Sequence, residues 1–306
     1  MRSLSSWQAN SLLLLVSLVW GLSFVMVKDA VRTVAPFVFL TLRFWLAAAL
    51  LWAVYAGAAR RAPLSTWLAG AATGMLLFAG FGFQTYGLQF TTSARAGFIT
   101  GLSVVIVPVG SAILLRRPPG GWAVAGVALA TLGLGLLSLD AAFVPGRGEL
   151  LVLFCALAFA AHILALGHYA ARHHPGVLAV SQITTAAVLF TAASLTLSSW
   201  PAHLTPGVWF SVAVMGLLAT AGAFLVQTAV QRYTTPVSTA LIFLAEPVFA
   251  ALFGYRWHGD VLSARGWLGS GLILAAMALS ELGGTAYGYL TSTFSLKVRK
   301  PCRYSR

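Results

Sequence analysis

Apolar residues in this chain come in runs of about twenty, separated by short polar, basic or proline-containing stretches. A helix needs about 20 largely apolar residues to cross a hydrocarbon layer. On that rule the chain reads as all-α, with ten spans at 10–28, 36–56, 66–88, 93–115, 121–139, 149–169, 176–199, 206–230, 235–256 and 264–282. The punctuation sits where spans should end: Ala35-Pro36, Arg60 to Pro63, Arg116 to Gly120, Pro145-Gly146, His174-Pro175 and Trp200-Pro201. No connection is long enough for a soluble domain. The first apolar run, Leu12 to Val27, is followed by Lys28 and then by further spans, so it reads as a span rather than a cleavable leader.

Composition excludes the alternatives. The 306 residues are 59% hydrophobic and 8% charged, against about 25% charged in average globular domains. Only six acids are present, Asp29, Asp140, Glu149, Glu246, Asp260 and Glu281, too few for a water-facing shell. The net charge of +13 does not point to nucleic acid, because the basic residues fall in ones and twos between spans and in one C-terminal cluster. With both termini cytoplasmic, twelve Lys and Arg lie inside and six outside, the excess expected of a multi-pass inner-membrane protein. Residues 283–306 then form a basic cytoplasmic tail. Cys155 lies in an apolar run and Cys302 in that tail, so a disulfide framework is not expected.

The chain also repeats. Pro36 and Arg43 match Pro175 and Gln182 at an offset of 139. Gln84 and Phe90-Thr91-Thr92 match Gln227 and Tyr233-Thr234-Thr235 at an offset of 143. Gly121-Trp122, Gly126, Leu129 and Ala130 match Gly266-Trp267, Gly271, Leu274 and Ala275 at an offset of 145. Three blocks in one order indicate a first repeat over 1–139 and a second over 149–282. Five spans per repeat is an odd number, so the copies are expected to be inverted in the membrane. Arg116-Arg117 after the fourth span faces Gly259-Asp260 after the ninth, which agrees. Inverted repeats are the architecture of many secondary transporters, with the substrate site near mid-membrane between the halves.

Several short motifs carry a family resemblance. They are Trp20-Gly21-x-Ser23-Phe24, Pro36 with Arg43, Tyr86-Gly87-Leu88 before Thr91-Thr92-Ser93-Ala94, and Pro108. In the second half they are Gly148-Glu149-Leu150-Leu151, Thr234-Thr235-Pro236, Glu246-Pro247 and Gly259-Asp260. In order and spacing over residues 10–282 the chain resembles the drug/metabolite transporter superfamily, specifically its ten-span EamA-type permeases. The resemblance implies export of small polar or amphipathic metabolites, amino acids among them, by alternating access. Phe159 stands where such proteins often carry Trp, followed by a less usual His162.

Candidate site residues follow from charge inside the spans and from that pattern. Arg43 is either a carboxylate or phosphate anchor or a structural arginine. Gln182 is its neutral counterpart in the second repeat. Glu246, the only acid deep in a span, is either a proton-coupling group or a carboxyl holding the Pro247 kink. His162 either meets the substrate or makes an interhelical bond. Trp20, Ser23 and Tyr86 join the substrate-binding set through the family pattern. Gly70-x-x-x-Gly74 and similar pairs read as close-packing devices. No cofactor, metal or catalytic residue is expected. No Walker-type loop is present, and the acids are scattered singly, against the alternative of a membrane lipid or prenyl transferase. The expected partners are a small-molecule substrate and the bilayer, for a monomer or homodimer.

Overall fold

A computed structural model describes residues 4–138, 146–253, 255–256 and 263–280, without the side chains of Phe24, Val25, Lys28, Asp29, Ser93 and Ala94. The tail at 283–306, Gly259-Asp260, Asp140 and Pro145 lie outside the described residues. The described chain is all-helical: α1 (Ser6–Ala30), α2 (Pro36–Arg60), α3 (Leu64–Gly87), α4 (Ser93–Gly101), α5 (Ser103–Leu114) and α6 (Gly121–Ser138) lie in the first half, and α7 (Arg147–Tyr169) opens the second. After α8 (Pro175–Leu197) and α9 (Pro206–Val214), a π-helical segment (Met215–Gly222) leads into α10 (Ala223–Val230), then α11 (Pro236–Phe243) and α12 (Ala245–Phe253). A last helix, α13, covers Ala264–Ser280. Eight of the described helical segments are long and apolar enough to cross a membrane; α13 is shorter.

The punctuation sets the helix starts. Pro36, Pro175, Pro206 and Pro236 each occupy the first turn, where a missing N–H costs nothing and the fixed φ already suits a helix. The Thr92, Thr205 and Thr235 side chains accept from the backbone of the first turns of α4, α9 and α11. Thr92 and Thr235 are equivalent in the repeat, so the same cap opens the same element twice.

Three segments are interrupted. α11 stops at Phe243 because Pro247 offers no N–H to the Phe243 carbonyl and its ring crowds that carbonyl. The matching break at Leu102, between α4 and α5, precedes Pro108, which sits inside α5. The π-helical stretch widens the eighth apolar segment.

The halves interlock. The most extensive pairings, α2 with α8, α3 with α7, α3 with α8 and α1 with α12, each join a helix of one half to one of the other. Small residues let them approach: a Cβ on Gly70 would stand 2.2 Å from Ser181 Cβ, and one on Gly74 2.5 Å from the Gln182 carbonyl oxygen. One buried cluster centres on Phe44, Leu77, Ile183, Phe190 and Phe224. Another joins Val107, Leu134, Ile163, Leu241 and Ile273. At one rim Glu149 accepts from Thr91 Oγ1 at 2.5 Å and from the Gly146 N–H at 2.9 Å, with Arg95 3.8 Å away, tying the start of α7 to the α3–α4 connection.

Candidate functional site

Connections of a few residues cannot carry the chain back along a helix more than 30 Å long, so successive long helices run in opposite directions. A cavity of about 310 Å³ lies between the two clusters. Its lining runs from Phe224, Gln227 and Ala240 to Leu88, Leu137, Ser138 and Ala251, the last four near helix ends that share one side. That size is at the lower end of the ~300–1,000 Å³ typical of small-molecule sites. All three interrupted segments contribute to its walls or anchor them.

Arg43, on α2, is 3% exposed. Its Nε donates to Thr220 Oγ1 at 2.6 Å and its Nη2 reaches the Ala219 carbonyl at 3.4 Å. The guanidinium carbon lies 5.0 Å from the centroid of the Phe81 ring and 5.8 Å from that of Phe44. The Trp20 indole donates to the same Ala219 carbonyl at 2.8 Å. Both acceptors belong to the π-helical segment. Thr220 in turn donates to the Met215 carbonyl at 2.9 Å. The arginine is thereby held in place, with Nη1 unused among the described residues and with part of the side chain lining the cavity.

Glu246, in the first turn of α12, lines the same cavity as Arg43. Among the described residues its carboxylate has no hydrogen-bond or ion-pair partner. The site thus presents one basic and one acidic side chain, set apart, between aromatic walls. Trp20 packs against Phe243 and Phe224 at centroid distances of 4.9 and 5.4 Å. Phe81 meets Phe159 at 5.1 Å.

His162, on α7, lines the cavity and is 2% exposed. Its Nε2 lies 3.0 Å from Gln182 Oε1. An amide oxygen only accepts, so this bond places the hydrogen on Nε2 and leaves Nδ1 as the ring's other polar atom. The Gln182 Nε2 donates to Thr228 Oγ1 at 2.8 Å, and Thr228 donates to the Phe224 carbonyl at 2.6 Å. Gln182 therefore stands behind His162 rather than in the cavity wall.

Of the residues singled out from sequence, the structure brings Trp20, Ser23, Arg43, His162, Glu246 and Pro247 to one cavity. Ser23 spends its hydroxyl on the Trp20 carbonyl at 2.7 Å. Tyr86 lies elsewhere, stacked on Phe37 at 6.1 Å and against Phe90 at 5.5 Å.

Residues 7–139 and again 146–282 match the EamA-like transporter family. The chain belongs to that family. An uncharacterized transporter of Archaeoglobus fulgidus is 33% identical over 270 residues, 88% of this chain and 84% of the relative. The uncharacterized transporter YwfM of Bacillus subtilis is 29% identical over 204 residues, 62% of this chain and 67% of that protein. A protein crystal structure with 19% sequence identity superposes with a TM-score of 0.76 over 89% of this chain and 96% of its own, and so shares the fold. The chain is a multi-pass membrane transporter.

In this EamA-like transporter the cavity also takes in residues absent from the site expected from sequence, among them Gln84 on α3 and Gln227 on α10. The signal was present, because the repeat pairs them at an offset of 143. A neutral polar residue repeated at equivalent depth in both halves is an unusual thing to place in apolar spans.

Proposed function

We propose that this transporter moves small zwitterionic and amphipathic metabolites, amino acids foremost, out of the cell by alternating access between two inverted five-span repeats. The observation that carries the reading is the pairing of Arg43 and Glu246 across one aromatic cavity. An α-carboxylate fits the unused Nη1 of the guanidinium, and an ammonium fits the unpartnered carboxylate. The aromatic walls accept an apolar side chain. A substrate carrying only one charge would leave the opposite group buried without a counter-charge, which is costly.

The helix pairings support the inverted repeat. The contacts of α1 with α11 and α12 recur, with the halves exchanged, as contacts of α7 with α4 and α5. The α3–α8 pairing recurs as α2 against the π-helical segment. Interrupted helices around the cavity provide places where one half can move against the other. With both termini cytoplasmic, the helix ends that the cavity reaches face outward. Protonation of Glu246 is the step by which a proton gradient would drive the cycle, because a neutral carboxyl releases the ammonium.

Reconstitution tests this. Protein in liposomes preloaded with an unlabelled amino acid should accumulate the labelled one transiently, and the rate should saturate. Flux that never saturates, or product formation without flux, would sink the carrier reading.

A further inference from the structure

Gln227 is a cavity residue whose chemistry the arrangement above leaves unused. It is fully buried, and neither Oε1 nor Nε2 has a hydrogen-bond partner among the described residues. Leaving a buried amide unmatched is unfavourable, so such a group in a cavity wall calls for a ligand. The repeat shows why it is orphaned. Its counterpart Gln84 donates to Thr100 Oγ1 at 3.3 Å. At the same offset of 143, Thr100 corresponds to Phe243. The second half keeps the glutamine and lacks the hydroxyl. The adjacent Thr228 is occupied by Gln182 and the Phe224 carbonyl, so it offers no substitute.

Gln227 also lies at a useful distance. It follows Thr220, the anchor of Arg43, by seven residues. That is about 10 Å along a helix. A zwitterion with its carboxylate at Arg43 and its ammonium at Glu246 can extend its side chain along the cavity toward this amide. A primary amide offers an acceptor and donors side by side, and a second carboxamide answers both at once. A carboxylate would meet Oε1 as acceptor against acceptor. An ammonium would leave the amide N–H groups unpaired.

We propose that Gln227 determines specificity in this cavity by selecting zwitterions whose side chain ends in a carboxamide. The proposal rests on the zwitterion reading of the Arg43–Glu246 site. The test uses full-length protein in liposomes and measures KM for L-glutamine and for L-methionine, which has similar length but no donor–acceptor end. Wild type should prefer glutamine by tenfold or more. Gln227→Leu should raise the glutamine KM at least tenfold relative to that of methionine. A purely structural glutamine would move both substrates together, and that result overturns the proposal. So does an unchanged glutamine-to-methionine ratio in the variant. Should the leucine variant be recovered unfolded, Gln227→Met keeps the length, removes both amide groups and gives the same comparison. Wild type that moves neither amino acid overturns the zwitterion reading and this proposal with it. Methionine flux without glutamine preference overturns this proposal alone.

Discussion

Gly74 is a position where a single methyl group should be costly. A Cβ there would stand 2.5 Å from the Gln182 carbonyl oxygen, 2.8 Å from Thr185 Cβ and 3.0 Å from Gln182 Cα. Ordinary contact begins near 3.4 Å, so α3 and α8 must part by about 0.9 Å along that line. The obstacle is backbone, which cannot rotate aside. Overpacking of this kind costs ~1–3 kcal/mol, and the better helix propensity of alanine returns up to ~1 kcal/mol. Gly74→Ala should therefore destabilise the protein by about 1–2 kcal/mol, a few degrees in Tm. It should also slow transport, because Gln182 holds both His162 and Thr228. Gly57→Ala is the control, since a Cβ at Gly57 meets nothing within 4 Å. Thermal unfolding in detergent, followed by tryptophan fluorescence, reads both variants. A Gly74→Ala protein melting with wild type, or a Gly57→Ala protein falling as far, would refute the reasoning.

Three further outcomes are expected. Arg43→Gln should weaken transport at least tenfold, and Arg43→Lys should restore only part of it, because a point ammonium cannot both hold Thr220 and present a planar fork; equal loss of folded protein in both variants would mark the arginine as structural only. Glu246→Gln should abolish the response of uptake to an imposed pH gradient and leave only weakened exchange, and wild-type flux indifferent to the gradient would end the coupling idea. Reporter fusions after Arg61 and Arg117 should read cytoplasmic and those after Arg32 external, and reversal of either set would contradict the inverted repeat.

Much of the architecture was legible because membrane spans announce themselves by unbroken apolar length. The prolines at 36, 175, 206 and 236 then placed helix starts closely. Facing was harder to read. In a span that is apolar all round, no polar stripe says which side meets lipid and which meets a cavity, so Tyr86 entered the expected site on family pattern alone. The structure sets it against Phe37 and Phe90 instead. The π-helical stretch at Met215–Gly222 had no local signature, since its residues suit an ordinary apolar helix. Its carbonyls and hydroxyl hold Arg43 and Trp20 through contacts from distant helices. The break in the fourth apolar segment falls at Leu102, ahead of Pro108, which sits inside α5. Charge was the most reliable guide: Arg43 and Glu246 stood out in sequence because ionisable groups in apolar spans need a reason to be there, and both reached the same cavity.

The central claim is that Arg43 and Glu246 together recognise a zwitterion. Calorimetric titration of the purified transporter with an L-amino acid, its decarboxylated amine and its deaminated acid tests that claim most directly. The intact amino acid should bind at least tenfold more tightly than either fragment. Arg43→Gln should erase its advantage over the amine, and Glu246→Gln its advantage over the acid. Amine or acid binding as tightly as the zwitterion would contradict the account.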